Sequence, residues 1–164
     1  MGETTSRDVR LARQGDAREL GQMSRQLIEH GLAWRWRPGR IRHAILAPDT
    51  TVIVTDAGDR TAGFALVSFA ETTAHLSLLA VSPQYQRQGI AGGMLDWIVA
   101  SCRVAGIARL SLEVRSANNT AISLYRRYGF ERTGLRRGYY DGREDALSMQ
   151  LHLIDPITET HRPK

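Results

Sequence analysis

The chain has 164 residues, of which 42% are hydrophobic and 24% charged, with a formal net charge of +5. This length suits one domain with a hydrophobic core of its own, and the apolar content excludes wholesale disorder. No apolar run approaches the ~20 residues of a membrane span, residues 1–8 carry no apolar stretch that could serve as a secretory signal, and the single cysteine, Cys102, excludes an intramolecular disulfide or a cysteine-based zinc cluster; the expectation is a cytoplasmic protein.

Val9-Arg10-Leu11-Ala12 reads as a short strand. Asp16-Ala17-Arg18-Glu19 has the form of a capping box, an acidic N-cap with a glutamate three positions on. Leu20, Met23, Leu27 and Ile28 then recur at helical spacing until Gly31. Pro38 can open a second, short helix through Ile41, Ala44 and Ile45. The β-branched run Thr51–Thr55 and the segment Ala62–Phe69 form a hairpin about a turn at Asp56–Asp59. Thr73–Val81 is an apolar strand ended by Ser82-Pro83. Between Gln88 and Ala105, the residues Ile90, Met94, Leu95, Ile98, Val99 and Cys102 mark one helical face, which Gly106 closes. Cys102 is a core residue on that face. Leu110–Val114 alternates with period two, and Thr120–Tyr128 is a helix ended by Gly129. Phe130–Tyr140 and Asp145–Leu153 are two last strands about Asp141-Gly142-Arg143. The order βααβββαβαββ makes one α/β (α+β) domain around a single central sheet, over residues 7–155, with tails at 1–6 and 156–164.

Of the 22 lysines and arginines all but Lys164 are arginine, scattered from Arg7 to Arg162 with no long basic block. A basic balance suits nucleic acid, a ribosomal surface or an acidic cofactor, and equally a coding bias; the scatter favours composition. No recognition-helix or base-stacking motif appears, so neither direct nucleic-acid binding nor a membrane is expected.

The most informative stretch is Leu79-Ala80-Val81-Ser82-Pro83-Gln84-Tyr85-Gln86-Arg87-Gln88-Gly89-Ile90-Ala91-Gly92-Gly93. A strand runs into a glycine-bearing loop that opens a helix, the geometry that presents unpaired N–H groups to phosphate. Glycines at a helix start are also ordinary turn chemistry. The loop has neither the Gly-Lys-Ser/Thr of a P-loop nor dinucleotide-fingerprint spacing.

Gln86-Arg87-Gln88-Gly89-Ile90-Ala91 resembles motif A of the GNAT superfamily of acetyl-CoA-dependent N-acetyltransferases, Gln/Arg-x-x-Gly-x-Gly/Ala. Asn118, Ala121, Leu124-Tyr125 and Gly129-Phe130 resemble a second family pattern. Leu112-Glu113-Val114-Arg115-Ser116-Ala117-Asn118, with Tyr139-Tyr140 and Glu144-Asp145-Ala146, is most similar to the ribosomal-protein-alanine N-terminal acetyltransferases. The resemblance implies a GNAT-type domain with a mixed, mostly antiparallel twisted sheet of about seven strands and about four helices. It implies acetyl-CoA as cosubstrate, no metal, and direct transfer of the acetyl group to a primary amine. The amine is expected to be a protein N-terminal α-amine; the alternatives are a small-molecule amine or, more distantly, a non-catalytic acyl-CoA-binding or ribosome-associated module. The chain is expected to be a monomer or homodimer.

Acetyl transfer needs a neutral amine, a donor to the thioester oxygen and a proton for the departing thiolate. Glu113 is the expected base, acting through water. On its strand Leu110, Leu112 and Val114 share one face, Ser111, Glu113 and Arg115 the other. A glutamate there can equally lie on a solvated face or pair with an arginine. His75 is a competing base on the neighbouring strand. The family places a tyrosine beside the cofactor sulfur, which makes Tyr125 the acid. The resemblance assigns Leu79, Ala80 and Val81 to pantetheine through their backbone groups. It assigns Gln86, Arg87, Gln88, Gly89, Ile90, Ala91 and Gly92 to the pyrophosphate. Asn118 holds the pantetheine arm or caps its helix. Tyr139 and Tyr140 fit a lid over the acceptor, with Asp141, Glu144 and Asp145 placed to attract an ammonium. Trp34, in the Trp34-Arg35-Trp36-Arg37 run, is expected on the opposite wall.

Overall fold

A computed structural model of the chain describes residues 7–154; the tails expected at 1–6 and 156–164 lie outside them. Among the described residues, seven strands and four α-helices follow the expected order. They are β1 (Val9–Leu11), α1 (Ala17–Met23), α2 (Pro38–Leu46), β2 (Thr50–Ala57), β3 (Arg60–Phe69), β4 (Thr73–Val81), α3 (Ile90–Val104), β5 (Arg109–Arg115), α4 (Asn119–Tyr128), β6 (Glu131–Tyr140) and β7 (Glu144–His152). A 3₁₀ turn at Gln14–Asp16 precedes α1, and a π turn at Ser24–Ile28 prolongs it.

The strands form one sheet in the order β1-β2-β3-β4-β5-β7-β6. All neighbours are antiparallel except β4 and β5. Those two are joined by α3, the kind of crossover that parallel neighbours require. Core packs on both faces. Leu20 and Ile41 of α1 and α2 meet Val54, Phe64 and Leu66 on one side. Met94, Leu95 and Ile98 of α3 meet Ala65, Leu110 and Leu112 on the other. β3 is central and buried without a break from Thr61 to Val67, which is why its sequence reads as continuous rather than alternating. On α3 the buried residues Ile90, Met94, Leu95, Ile98 and Cys102 keep the helical period.

Two local expectations are corrected. The capping box at Asp16 does not form. Asp16 has helical backbone angles, φ −77° and ψ −20°, whereas an N-cap residue is extended. Its carboxylate instead accepts the Arg13 N–H at 2.7 Å and the Arg10 guanidinium at 2.8 Å. Arg10 also bonds Asp56 at 2.7 Å, so the Asp16 carboxylate is drawn into an ion-paired network instead of capping α1. Glu19, the other half of the expected box, accepts the Thr61 hydroxyl at 3.0 Å. The first hairpin turn is also tighter than expected: Ala57 pairs with Arg60, so Gly58, at φ +64°, and Asp59 make the reversal alone.

Candidate active site

β4 and β5 pair only from Thr73 to Leu76 against Arg109 to Leu112. Immediately beyond, Leu66 of β3 pairs with Leu78 while Val67 pairs with Leu76. Ser77 is therefore the extra residue of a β-bulge, a device that bends a strand and re-aims its side chains. The bulge moves the inward-facing residues of β4 from one core to the other: Ala74 and Leu76 pack with α3, Leu78 and Ala80 with α1 and α2. It also leaves the β5-facing backbone edge beyond Leu76 without a strand partner.

Two clefts open at this divergence. One, of about 370 Å³, is lined by Leu76, Leu79, Val114, Asn118, Ala121 and Tyr125. The other, of about 450 Å³, lies between the segment following α1 and the β6–β7 hairpin, with Trp36, Arg40, His75 and Tyr139 in its walls. Both are lined by Ser77, Glu113 and Tyr140, so they meet there.

Glu113 alternates away from the buried Leu112 and Val114 on β5. Its Oε2 lies 2.5 Å from His75 Nε2, and Arg136 of β6 stands 3.9 Å from Oε1. The His75 hydrogen bond, with the charge of Arg136 and, when the ring is protonated, that of His75, outweighs desolvation and holds the Glu113 carboxyl below the usual range. An ionised carboxylate only accepts, so Nε2 carries the proton between them. His75 Nδ1 lies 3.1 Å from Ser77 Oγ. The Glu113 side chain is 12% exposed and that of His75 40%, so the pair reaches solvent through the imidazole.

Asn118 caps α4, its Oδ1 accepting the Ala121 N–H at 3.2 Å. Two turns on from this cap, Tyr125 packs edge-to-face on Phe130 with centroids 5.4 Å apart. Burial raises the pKa of its phenol, so the hydroxyl keeps its proton at neutral pH.

Three charged residues hold the walls of the two clefts in place. Glu29, 7% exposed, accepts from Ser24 Oγ at 2.9 Å, from the Arg35 N–H at 2.8 Å and from the Trp36 N–H at 3.2 Å. Arg115 donates to the carbonyls of Ile28 and His30, both at 2.7 Å, and to Glu144 at 2.9 Å. Asp141, at φ +55°, accepts the Ala33 N–H at 2.7 Å and Arg35 at 2.6 Å. These bonds clasp the hairpin tip to the segment between α1 and α2. They also consume the acids expected to attract an ammonium: Asp141 serves Ala33 and Arg35, Glu144 serves Arg115, and Asp145 accepts the Gly138 N–H at 2.8 Å.

At the start of α3, Arg87 and Gly89 have φ of +60° and +80°. The first helical bond runs from the Gly93 N–H to the Gly89 carbonyl, which leaves the preceding amides of the turn without helical partners. A Cβ added at Gly89, Gly92 or Gly93 would meet nothing within 4 Å. Gly89 is required by its left-handed backbone, whereas packing does not demand Gly92 or Gly93; what these two keep open is access to the backbone. Gln86 and Gln88 turn inward to the Val81 and Gln84 carbonyls, at 3.1 and 3.2 Å.

The family model for the acetyltransferase (GNAT) domain matches residues 13–152. The chain belongs to the GNAT acetyltransferase family. It is 43% identical over 93 residues to the [ribosomal protein bS18]-alanine N-acetyltransferase of Escherichia coli K12, covering 55% of this chain and 63% of that protein. The chain thus spans less than two thirds of the E. coli relative's length in that alignment. It is 32% identical to the N-alpha-acetyltransferase RimI of Mycobacterium tuberculosis over 126 residues, covering 74% of this chain and 78% of that one. The crystal structure of the E. coli ribosomal-protein-S18-alanine N-acetyltransferase superposes with a TM-score of 0.80 at 27% identity, covering 94% of this chain and 99% of that one. Ard1 of Thermoplasma volcanium, at 22% identity and a TM-score of 0.79, has the same fold.

In this GNAT domain Leu79, Asn118 and Tyr125 line the first cleft, Glu113 and Tyr140 line both, and Tyr139 lines the second. Ala80 is buried under α1 and α2. Trp34 lines neither cleft. Its Nε1 donates to the Gly21 carbonyl at 3.1 Å, and its ring is flanked by Arg25 and Arg37 at 5.0 and 4.7 Å. Trp36, two residues on, takes the expected place, with Arg40 3.7 Å over its ring. The two candidate bases, His75 and Glu113, are hydrogen-bonded to each other. Glu29 and Ser77 had no sequence signal beyond a glutamate after an apolar helix and a serine inside an apolar strand.

Proposed function

We propose that the chain is an acetyl-CoA-dependent N-acetyltransferase whose acceptor is a protein N-terminal α-amine, of the ribosomal-protein-alanine type that its relatives' names describe. The observation that carries this reading is the junction of two clefts at Glu113: one runs beside the free edge of β4 and the start of α4, the other between the segment following α1 and the β6–β7 hairpin.

The residues present fit acetyl-CoA. The unpartnered amides at the start of α3 and the open space over Gly89 and Gly92 suit a pyrophosphate, with Gln86, Arg87, Gln88, Ile90 and Ala91 forming the rest of the loop. The free edge of β4 at Leu79–Val81 suits the amides of pantetheine, paired as a strand would pair them. Tyr125 retains its proton and donates it to the departing thiolate. Glu113 attracts the acceptor ammonium and orients the amine as it loses its proton. Tyr139, Tyr140 and Trp36 contact the incoming chain.

The test is an acceptor screen. The purified protein is incubated with acetyl-CoA and either peptides beginning with alanine, the same peptides blocked at the α-amine, or small amines, and free thiol release is followed. Release with the free peptides alone supports the reading. Transfer confined to small amines establishes a metabolite acetyltransferase instead, and none at all a binding module.

A further inference from the structure

Glu113 is well placed to attract an ammonium but poorly matched to keep its proton. An α-ammonium has a pKa of about 7.7–8.0, while the Glu113 carboxyl is held below the ordinary carboxylate range. Transfer to it therefore runs uphill. A base works best when its pKa lies near the operating pH, and imidazole is the side chain that ordinarily changes charge there.

The geometry points to Ser77, His75 and Glu113 as one proton-exit relay, in which His75 stores the proton taken from the acceptor amine. This inference rests on the acetyltransfer reading above. Glu113 accepts from Nε2, so the free lone pair of a neutral His75 is on Nδ1, facing the Ser77 hydroxyl at 3.1 Å. Ser77 lines both clefts, because the bulge places it at their junction. An ammonium bound there gives its proton to Ser77 Oγ, directly or through water, as the Oγ–H proton passes to Nδ1. The imidazolium formed is held by the Glu113 carboxylate, and the amine lone pair is released. That lone pair then forms the C–N bond and the C–S bond breaks; the thiolate takes the Tyr125 proton, and the second proton of the acylated nitrogen returns to the Tyr125 oxygen, leaving a neutral amide and a thiol. His75, 40% exposed, returns its proton to bulk water. His75 acts through Ser77 and Glu113 and is a positioning and storage residue.

Other groups face the relay and set its field. From β6, Arg136 stands 3.9 Å from Glu113 Oε1, and Tyr140 borders it. Across the second cleft lie Glu29, Arg35 and Arg40 of the α1–α2 side, with Tyr139 and Asp141 of the hairpin. Glu29 and Asp141 are already hydrogen-bonded within the cleft walls. Of the groups facing the junction, only His75 offers a ring nitrogen to the Ser77 hydroxyl.

The experiment is the pH profile of kcat/KM for the wild type, His75→Gln, His75→Ala and Ser77→Ala. It uses whichever amine the wild type acetylates, so a failed peptide assignment and a failed relay are told apart. Folding is verified by circular dichroism and coenzyme A binding, and His75→Gln serves if His75→Ala does not fold. The relay is supported by a loss of about 100-fold at pH 7 in His75→Gln. It further requires that this loss shrink towards pH 9 as the acidic limb moves up to the acceptor's own α-amine range, about 7.7–8.0. Added imidazole is expected to restore part of the His75→Ala rate, a rescue a merely structural histidine would not show. Long-range ¹H–¹⁵N spectra are expected to show the Nε2–H tautomer in the wild type and its loss of preference in Glu113→Gln. Equal loss at every pH without imidazole rescue, or no loss, overturns the proposal.

Discussion

Removing the Glu29 carboxylate is expected to loosen the acceptor cleft while sparing the cofactor side. Glu29→Ala leaves three donors without their partner: the Ser24 hydroxyl, which is fully buried, and the N–H groups of Arg35 and Trp36. Hydrogen bonds to a charged group contribute about 1.5–3 kcal/mol each, and a buried donor left alone costs about 1–3 kcal/mol. Water can reach the exposed Arg35 more readily than Ser24, so the three do not add in full. A net loss of about 3 kcal/mol is expected. For a chain of this size that lowers Tm by about 6–12 °C. Because Arg35 and Trp36 are the residues Glu29 positions, the acceptor KM is expected to rise about tenfold, equivalent to ~1.4 kcal/mol. The acetyl-CoA KM is expected to change by less than about twofold, since the cofactor lobe is built chiefly by β4, α3 and α4. Glu29→Gln keeps the shape but turns an amide donor towards existing donors, so it recovers little. Differential scanning calorimetry and initial rates at varied concentrations of each substrate measure both effects. A Tm within about 2 °C of wild type together with an unchanged acceptor KM would refute the reasoning.

Three further outcomes are expected. Gly92→Leu meets no atom within 4 Å of its Cβ and replaces a poor helix former with a good one, so Tm is expected to hold or rise by about 2–4 °C; the acetyl-CoA KM is expected to rise at least about tenfold, and an unchanged KM removes the loop from the cofactor site. The Asp141 carboxyl is lowered by the Ala33 N–H and by Arg35, so the clasp's contribution is full above the unfolded value of about 3.9 and is lost as pH falls through the lower folded value; Asp141→Asn at neutral pH is expected to raise acceptor KM about threefold to tenfold with kcat little changed, and a fall in kcat alone would contradict a wall role. Tyr125→Phe keeps the packing on Phe130 and removes the donor, so kcat is expected to fall at least about 100-fold with coenzyme A affinity retained; equal kcat would take the acid role away from Tyr125.

Much of the architecture was legible because it is written in periodicity. The i, i+4, i+8 stripe on α3 and the alternation of β5 each report which face is buried, and α4 carries its own start and stop in Asn118 and Gly129. The faces that Glu113 and Tyr125 occupy could be read from the phase of their elements, while their proposed roles came from the family resemblance of the motifs around them. What was not legible depends on partners far apart in the chain. Asp16 looks like a cap until Arg10 and Asp56 are brought beside it. Glu144 and Asp141 look like free acids until Arg115 and the segment after α1 are packed against them. Trp34 and Trp36 differ by two residues in an irregular segment, where no period says which faces the cleft. The His75–Glu113 pair spans 38 positions, and its alignment with Ser77 needs a bulge that no composition signals.

The most direct test of the account is a mass-spectrometric site assignment. An alanine-initiated peptide that also contains one internal lysine is incubated with acetyl-CoA and either the wild type or Glu113→Gln. The account predicts one acetyl group on the α-nitrogen with the wild type, none on the lysine side chain, and a rate reduced at least about 100-fold with Glu113→Gln. Acetyl on the lysine, or an undiminished rate in the variant, would contradict it.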